Sequence, residues 1–275
     1  MKYLVLMSLI FCFSSVDAQK FYYYFDKAQI LMDSSNYKLS KLYYDSALMT
    51  NPKHASSYFN RGLCERVLEN YDNAIQDFTH YMTLSPNDGA AYSQRAASKR
   101  KFNDTIGSLK DYDTSLMLLP DDYDTRVDRG IFLGSLDSVA LALKDFEYAV
   151  KLDSTKFDGV YNMGVIFYYM NKYDSALKYL NRSVLIDSLS SISLYYRSKV
   201  KYYIDDYNNA LKDINEAIRL NKNDYDYLIA RALIYIYNEN EYDDELAEDD
   251  LYEALKMGSK EAQKLLDKYF SEDDN

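Results

Sequence analysis

Tryptophan is absent from this chain, proline occurs three times, glycine eight times, and cysteine and histidine twice each. So few turn-forming residues in 275 positions suit long helices joined by short turns. Cys12 falls in the leader described below, which leaves Cys64 alone and excludes an intrachain disulfide even in an oxidising compartment. His54 and His80 lie outside the helix predicted around Cys64, so Cys64 reads as a small buried helix residue, not a nucleophile. No Gly-rich phosphate loop, metal-spaced His/Cys cluster or nucleophile elbow occurs, so the sequence offers no catalytic residue, cofactor site or metal site. Basic residues are in deficit, 32 Lys plus Arg against 43 Asp plus Glu, for a net charge of -11. That balance argues against nucleic acid, whose phosphates need a basic face, and favours neutral or basic partners. Tyrosine is abundant instead, at 31 residues, and its wide ring and single hydroxyl suit a core or a binding surface.

The N-terminus has the pattern of a cleaved leader. Lys2 forms a short positive region, and the apolar run Tyr3 to Phe13 is too short to span a bilayer. Val16 and Ala18 stand at the -3 and -1 positions of a cleavage site, so residues 1–18 are expected to leave and Gln19 to begin the mature chain. Phe11 before Cys12 is larger than a lipoprotein box prefers. No later stretch is apolar enough to cross a membrane, so the mature chain is expected to be exported, periplasmic or secreted, without membrane insertion.

The prolines are Pro52, Pro86 and Pro120, spaced 34 residues apart. A fixed period of this size marks a stacked helical array. Rows of that length run without a gap as 21–54, 55–88, 89–122, 123–156, 157–190 and 191–224, and 225–258 fits after three residues are inserted near Tyr242 to Leu246. The eighth column is small in every row: Ala28, Gly62, Ala96, Gly130, Gly164, Ser198 and Ala232. The twentieth holds Ser40, Ala74, Ser108, Ala142, Ala176, Ala210 and Ala247. The twenty-fourth is large: Tyr44, Phe78, Tyr112, Phe146, Leu180, Ile214 and Leu251. Large residues on a second helix filling the space left by small ones on a first is close helix packing.

The block 55–88, with Tyr58, Gly62, Tyr71, Ala74, Phe78 and Pro86 in register, resembles the tetratricopeptide repeat along its whole length. The resemblance covers residues 21 to about 258 and implies an all-α, right-handed solenoid of seven helix-turn-helix repeats within 19–258. Residues 259–275 then form a capping helix and acidic tail, with Ala262, Leu265, Leu266 and Tyr269 on one face of Lys260 to Phe270. Departures from the family pattern are Tyr81 in a column that is usually small, Arg126 in an apolar one, and Ser154, Ser188 and Lys222 in place of proline. These are expected to loosen packing locally.

The seventh column, usually apolar in that family, holds Arg61, Arg95, Arg129, Arg197 and Arg231. The twenty-third holds Asp77, Asp111, Asp145, Asp213 and Asp250. The two rows without Arg, which carry Lys27 with Tyr43 and Met163 with Tyr179, also lack the Asp. The matched pattern predicts an ion pair between the two helices of each such repeat.

The resemblance also implies that first helices line a concave groove through their second, fifth, ninth, twelfth and thirteenth positions. These place a basic patch of Arg66, Arg100 and Lys101, beside the small Ser93 and Ala97, toward the N-terminal half. They place a tyrosine wall of Tyr161, Tyr168, Tyr169, Tyr195, Tyr202, Tyr203 and Tyr237, with Ile236, toward the C-terminal half. Tyr and Arg are enriched at binding hot spots. The expected function is a non-catalytic scaffold that holds a protein or peptide segment in this groove. The alternative is a glycan or cell-wall binder that stacks sugars on the tyrosines. Phe25 and Gln29 occupy positions where a chaperone carboxylate clamp needs Lys and Asn, which excludes that use. The acidic run Glu241 to Asp250 lacks the ligand spacing of an EF-hand and reads as a solvated turn.

Overall fold

The computed structural model describes residues 2–238 and 243–270, with side chains from Asp17 onward. Among the described residues there are fifteen α-helices and no strand. They are α1 (Lys2–Asp33), α2 (Tyr37–Thr50), α3 (Ala55–Val67), α4 (Tyr71–Leu84), α5 (Gly89–Lys101), α6 (Thr105–Leu118), α7 (Tyr123–Ser135), α8 (Val139–Leu152), α9 (Phe157–Tyr169), α10 (Tyr173–Ile186), α11 (Ser191–Tyr203), α12 (Tyr207–Leu220), α13 (Tyr225–Tyr237), α14 (Asp244–Lys256) and α15 (Lys260–Tyr269). The expected leader and the first helix of row one share the single helix α1. The chain divides into two units, 1–132 and 133–275, with the boundary inside α7. No described helix is long and apolar enough to cross a membrane.

From α1 to α6 in unit 1 and from α8 to α15 in unit 2 each helix packs on the next, and alternate helices also touch, α3 with α5 and α9 with α11 with α13. This is solenoid packing, in which first helices share one face. The twenty-fourth column is the spine of the core. Tyr44, Phe78, Tyr112, Leu180, Ile214 and Leu251 are all 0% exposed and Phe146 is 3% exposed, so every row buries its twenty-fourth residue. They fit because the opposed column is small. A Cβ on Gly164 would stand 2.7 Å from Leu180 Cγ, and one on Gly62 would stand 3.0 Å from Phe78 Cε1. Where the twentieth residue is serine, its hydroxyl donates to the facing first helix, Ser40 to Ala28 O and Ser108 to Ala96 O, each at 2.8 Å.

The turn between the helices of a repeat explains the low glycine content. Ser35, Glu69, Asn103, Asp137, Asn171 and Asp205, one in each of the first six rows, adopt left-handed backbone with φ between 55° and 64°. The following amide bonds back into the first helix, as Asn36 N to Leu31 O (2.8 Å) and Asp206 N to Lys201 O (2.9 Å). This six-to-one closure satisfies the helix end, and Asn and Asp tolerate the conformation that glycine usually supplies. The turn between repeats uses proline differently. Tyr58 and Tyr92 donate their hydroxyls to Pro52 O and Pro86 O, both at 3.2 Å. Arg126, one of the departures from the family pattern, donates Nε and Nη2 to Pro120 O at 3.0 and 2.7 Å, so a cation replaces the phenol at the same joint.

Arg and Asp of the seventh and twenty-third columns meet in fork geometry. Arg61 Nε and Nη2 lie 2.9 and 2.6 Å from the Asp77 oxygens. Both contacts are 2.8 Å for Arg95 with Asp111. They are 2.7 and 2.6 Å for Arg197 with Asp213, and 2.8 and 2.7 Å for Arg231 with Asp250. Arg129 and Asp145 belong to different units; Arg129 Nη1 reaches Asp113 at 2.6 Å, and Asp145 is 2% exposed. The remaining Nη1 of each arginine turns to the preceding repeat: Asp45 for Arg61, Thr79 for Arg95, Asn181 for Arg197 and Asn215 for Arg231. One guanidinium thereby ties the helices of its own repeat and the repeat before it. In row five, which has no pair, Met163 is 1% exposed and Phe167 stacks on Tyr179 at 5.6 Å.

Candidate functional site

The faces formed by first helices carry the predicted groove residues, and the two units differ in how those residues are held. In unit 1, Arg66 on α3 and Arg100 on α5 are half-buried, and Lys101 is exposed. Arg100 sits 5.9 Å from the Phe132 ring. Arg66 Nε, Gln94 Oε1 and the Tyr112 hydroxyl are buried without a hydrogen-bond partner. Asp128 on α7, which the column rule passed over, tempers the charge of this patch. Burial pushes its carboxyl above the usual range while Arg100 and Arg66 pull it down. Ser93 is buried and accepts a 2.7 Å hydrogen bond from Thr125, so it is a structural contact between α5 and α7.

In unit 2 the tyrosines form a connected sheet of rings along α9, α11 and α13. Tyr161 stacks on Phe157 at 5.4 Å and meets Tyr196 edge-on at 6.0 Å. Tyr168 touches Tyr169, Tyr196 and Tyr203 and keeps only 8% exposure. Tyr195 stacks on Tyr227 at 4.9 Å. Tyr203 lies flat on Tyr173 at 5.2 Å, and Tyr202 meets Tyr207 and Tyr237 edge-on. Tyr237 and Tyr269 of α15 share a hydrogen bond of 2.6 Å. The wall is therefore partly core and partly surface. Tyr169 is 65% exposed, Tyr203 49% and Tyr237 42%, while Tyr161, Tyr195, Tyr202 and Ile236 are half-buried. Burial pushes the phenols of Tyr161, Tyr168, Tyr195, Tyr196 and Tyr202 well above their ordinary value.

Within this wall lies a cavity of about 170 Å³ between α11, α13 and α15. Its floor is apolar, from Ile229, Ala230, Leu233 and Ile234, and its sides are Tyr195, Tyr202 and Tyr203. Lys199 enters from α11, Asp226 from the first turn of α13 and Glu261 from the first turn of α15. Lys199 Nζ stands 5.2 Å from the ring centroids of both Tyr168 and Tyr195 and donates to Tyr195 Oη at 3.3 Å. Ser198 also borders the cavity, and its hydroxyl is fully buried and without a partner. Lys199 and Asp226 occupy ninth and second positions of their rows, so the groove rule includes them; a reading for tyrosine passed them by. Glu261 lies past the last row, where no column points to it.

Elsewhere the chemistry is quiet. Cys64 is buried with Sγ 3.5 Å from Ser40 Oγ, and burial pushes its thiol pKa up. Of the acidic run Glu241 to Asp250, residues 241 and 242 lie outside the described residues; Asp243 caps α14 through Leu246 N at 3.0 Å and Asp250 holds Arg231. Among the described residues no group of three or more His, Cys, Asp or Glu is placed to hold a metal ion.

Known proteins share this architecture. Family models described as the tetratricopeptide repeat match residues 25–88 and 158–188. No curated protein matches the sequence. A tetratricopeptide repeat protein from Parabacteroides merdae is 18% identical, with a TM-score of 0.69, over 90% of this chain and 98% of its own. The C-terminal part of a repeat protein from Cytophaga hutchinsonii is 17% identical, with a TM-score of 0.68, over 87% of this chain and 98% of its own. YrrB, a repeat protein with an unusual peptide-binding site, is 22% identical, with a TM-score of 0.52, over 62% of this chain and 88% of its own. At these identities the likeness is one of fold. With the columns, the paired helices and the two family matches taken together, the chain belongs to the tetratricopeptide repeat family.

Proposed function

We propose that this chain is an exported, non-catalytic scaffold that holds a segment of another protein against the tyrosine-lined first-helix face of unit 2. One observation carries the reading: large rings remain in contact with solvent on that face, Tyr169 at 65% and Tyr203 at 49%, around a formed cavity. Rigid aromatic surface of this kind gives large contact area at low entropic cost, the character of a binding hot spot. The peptide-binding site of YrrB on a similar fold is consistent with it. Export rests on the leader pattern of residues 1–18.

Site-specific photocrosslinking in the native cell tests both parts. A crosslinker at Tyr203 is expected to capture a protein segment, and one at Leu185 of α10, 86% exposed on a second helix, is not. Equal capture from both positions refutes the groove, and recovery of an uncleaved chain in the cytoplasm refutes export. Capture of a glycan in place of protein at Tyr203 moves the function to the cell-wall alternative.

A further inference from the structure

The cavity of unit 2 has a feature that a general peptide groove does not need. It presents opposed charges that do not satisfy each other. Lys199 is half-buried, and among the described residues no carboxylate pairs with it; its one hydrogen bond goes to Tyr195 Oη. Asp226 and Glu261 face the same space from two other helices. Burial lowers the Lys199 ammonium pKa, and the fields of Asp226 and Glu261 oppose that shift from a distance. Burial and the neighbouring Asp224 and Glu261 raise the Asp226 carboxyl. Both shifts mark charges left without a close partner. Ser198 adds a fully buried hydroxyl with no partner, a group that natural interiors rarely leave unmade.

These groups sort by what they need. Lys199 and Ser198 offer hydrogens and need an acceptor. Asp226 and Glu261 need a donor, ideally a cation, because two carboxylates face one ammonium and the site is net negative. The floor of Ile229, Leu233 and Ile234 needs an apolar group. At about 170 Å³ the space admits one residue, close to the cavity size that holds a benzene-sized group. An α-ammonium with its own carbonyl two bonds away and an apolar side chain beside it supplies all three. A lysine side chain supplies a cation with no adjacent acceptor, and a C-terminal carboxylate faces two like charges.

We propose that this cavity captures the free N-terminal residue of a partner polypeptide, with its ammonium between Asp226 and Glu261, its first carbonyl toward Lys199 and Ser198, and its apolar side chain on the α13 floor. The source of the amine rests on the protein-binding reading of the groove. The chemistry belongs to the cavity alone. Terminal-amine capture by a set of pre-placed groups is an established recognition mode.

The test is calorimetric titration of the full chain with tripeptide amides Xaa-Ala-Ala, where Xaa is Leu, Ile, Met or Val. At least one is expected to bind saturably, and N-acetylation to weaken it tenfold or more. Asp226→Asn with Glu261→Gln is expected to weaken the free-amine peptide tenfold or more and to leave the thermal melt unchanged, since both acids are at the surface. Lys199→Met is expected to weaken it as well. N-acetylated peptide binding equally, an N-acetyl Ala-Lys-Ala amide binding better, or no saturable binding at millimolar concentration overturns the proposal. Free leucine binding as tightly as the tripeptide overturns the chain-end source while leaving the crosslinking result at Tyr203 to stand or fall separately.

Discussion

Replacing Asp213 by alanine tests what the Arg–Asp ladder contributes. The Asp213 side chain is 8% exposed and accepts from Arg197 Nε (2.7 Å), Arg197 Nη2 (2.6 Å) and Lys201 Nζ (2.7 Å). Removing one member of a buried ion pair costs about 3–5 kcal/mol, because the other charge is left unpaired in a poor solvent. Here the stranded groups are Arg197 and Lys201, whose side chains keep 17% and 14% exposure, so water recovers part of the loss. A cost of about 2–3 kcal/mol follows. Arg197→Met should cost less, about 1–2 kcal/mol, because Lys201 remains on the carboxylate. The asymmetry is the informative part: the acid with three donors matters more than either base. Urea unfolding followed by circular dichroism gives the totals. Stacked repeats need not unfold in one step, so amide exchange in α11 and α12 should accompany it. Asp213→Ala within about 0.5 kcal/mol of the parent, or Arg197→Met costing more than Asp213→Ala, refutes the argument.

Two further outcomes follow from the core. Gly164→Ala is expected to destabilise by about 1–2 kcal/mol in the same urea assay despite its gain of roughly 1 kcal/mol in helix propensity, because the new methyl meets the fully buried Leu180; a stabilised variant would show that Leu180 can move aside. Tyr44 and Tyr112 are 0% exposed, and burial pushes both phenols up to about 12. Their unfolded counterparts ionise near 10, so the stabilisation is complete below pH 10 and is lost as pH rises toward 12, at about 1.4 kcal/mol per pH unit for each ring. Phenolate absorbance during alkaline unfolding should shift to higher pH in the Tyr44→Phe, Tyr112→Phe double variant, and an unchanged midpoint counts against the burial account.

Much of the fold is legible in the residues because a repeat writes local packing into columns. Small residues at Ala28 and Gly62, large ones at Tyr44 and Phe78, and the paired Arg and Asp recur at fixed offsets, and each offset sets a fixed place on a helix. Any row can therefore be checked against the others. The left-handed turn is equally periodic yet carries no residue signature. Ser35, Glu69 and Asn103 share a conformation and no side-chain chemistry, since the backbone closure is what that position supplies.

The site was legible only in part. The family resemblance implies tyrosines on the first-helix face, but not which rings remain in contact with water. Tyr168 and Tyr203 are both assigned to that face, yet Tyr168 is packed away among its neighbours and Tyr203 stays half open. That outcome depends on rotamers and on the residues contributed by adjoining repeats, which no single row records. The same holds for the third bond of each arginine, which reaches into the repeat before it.

By itself, then, the sequence determined the period, the helix pairs, the small-against-large core and the pairing of Arg with Asp, because these depend on residue type at a fixed separation along the chain. Tertiary structure alone decided that Lys199, Asp226 and Glu261, from three different helices, would face one cavity with Ser198 unpartnered beside them. The physical reason is that a charge is satisfied or left wanting by what stands a few ångströms away in space, and in a stacked array that neighbour comes from the next repeat.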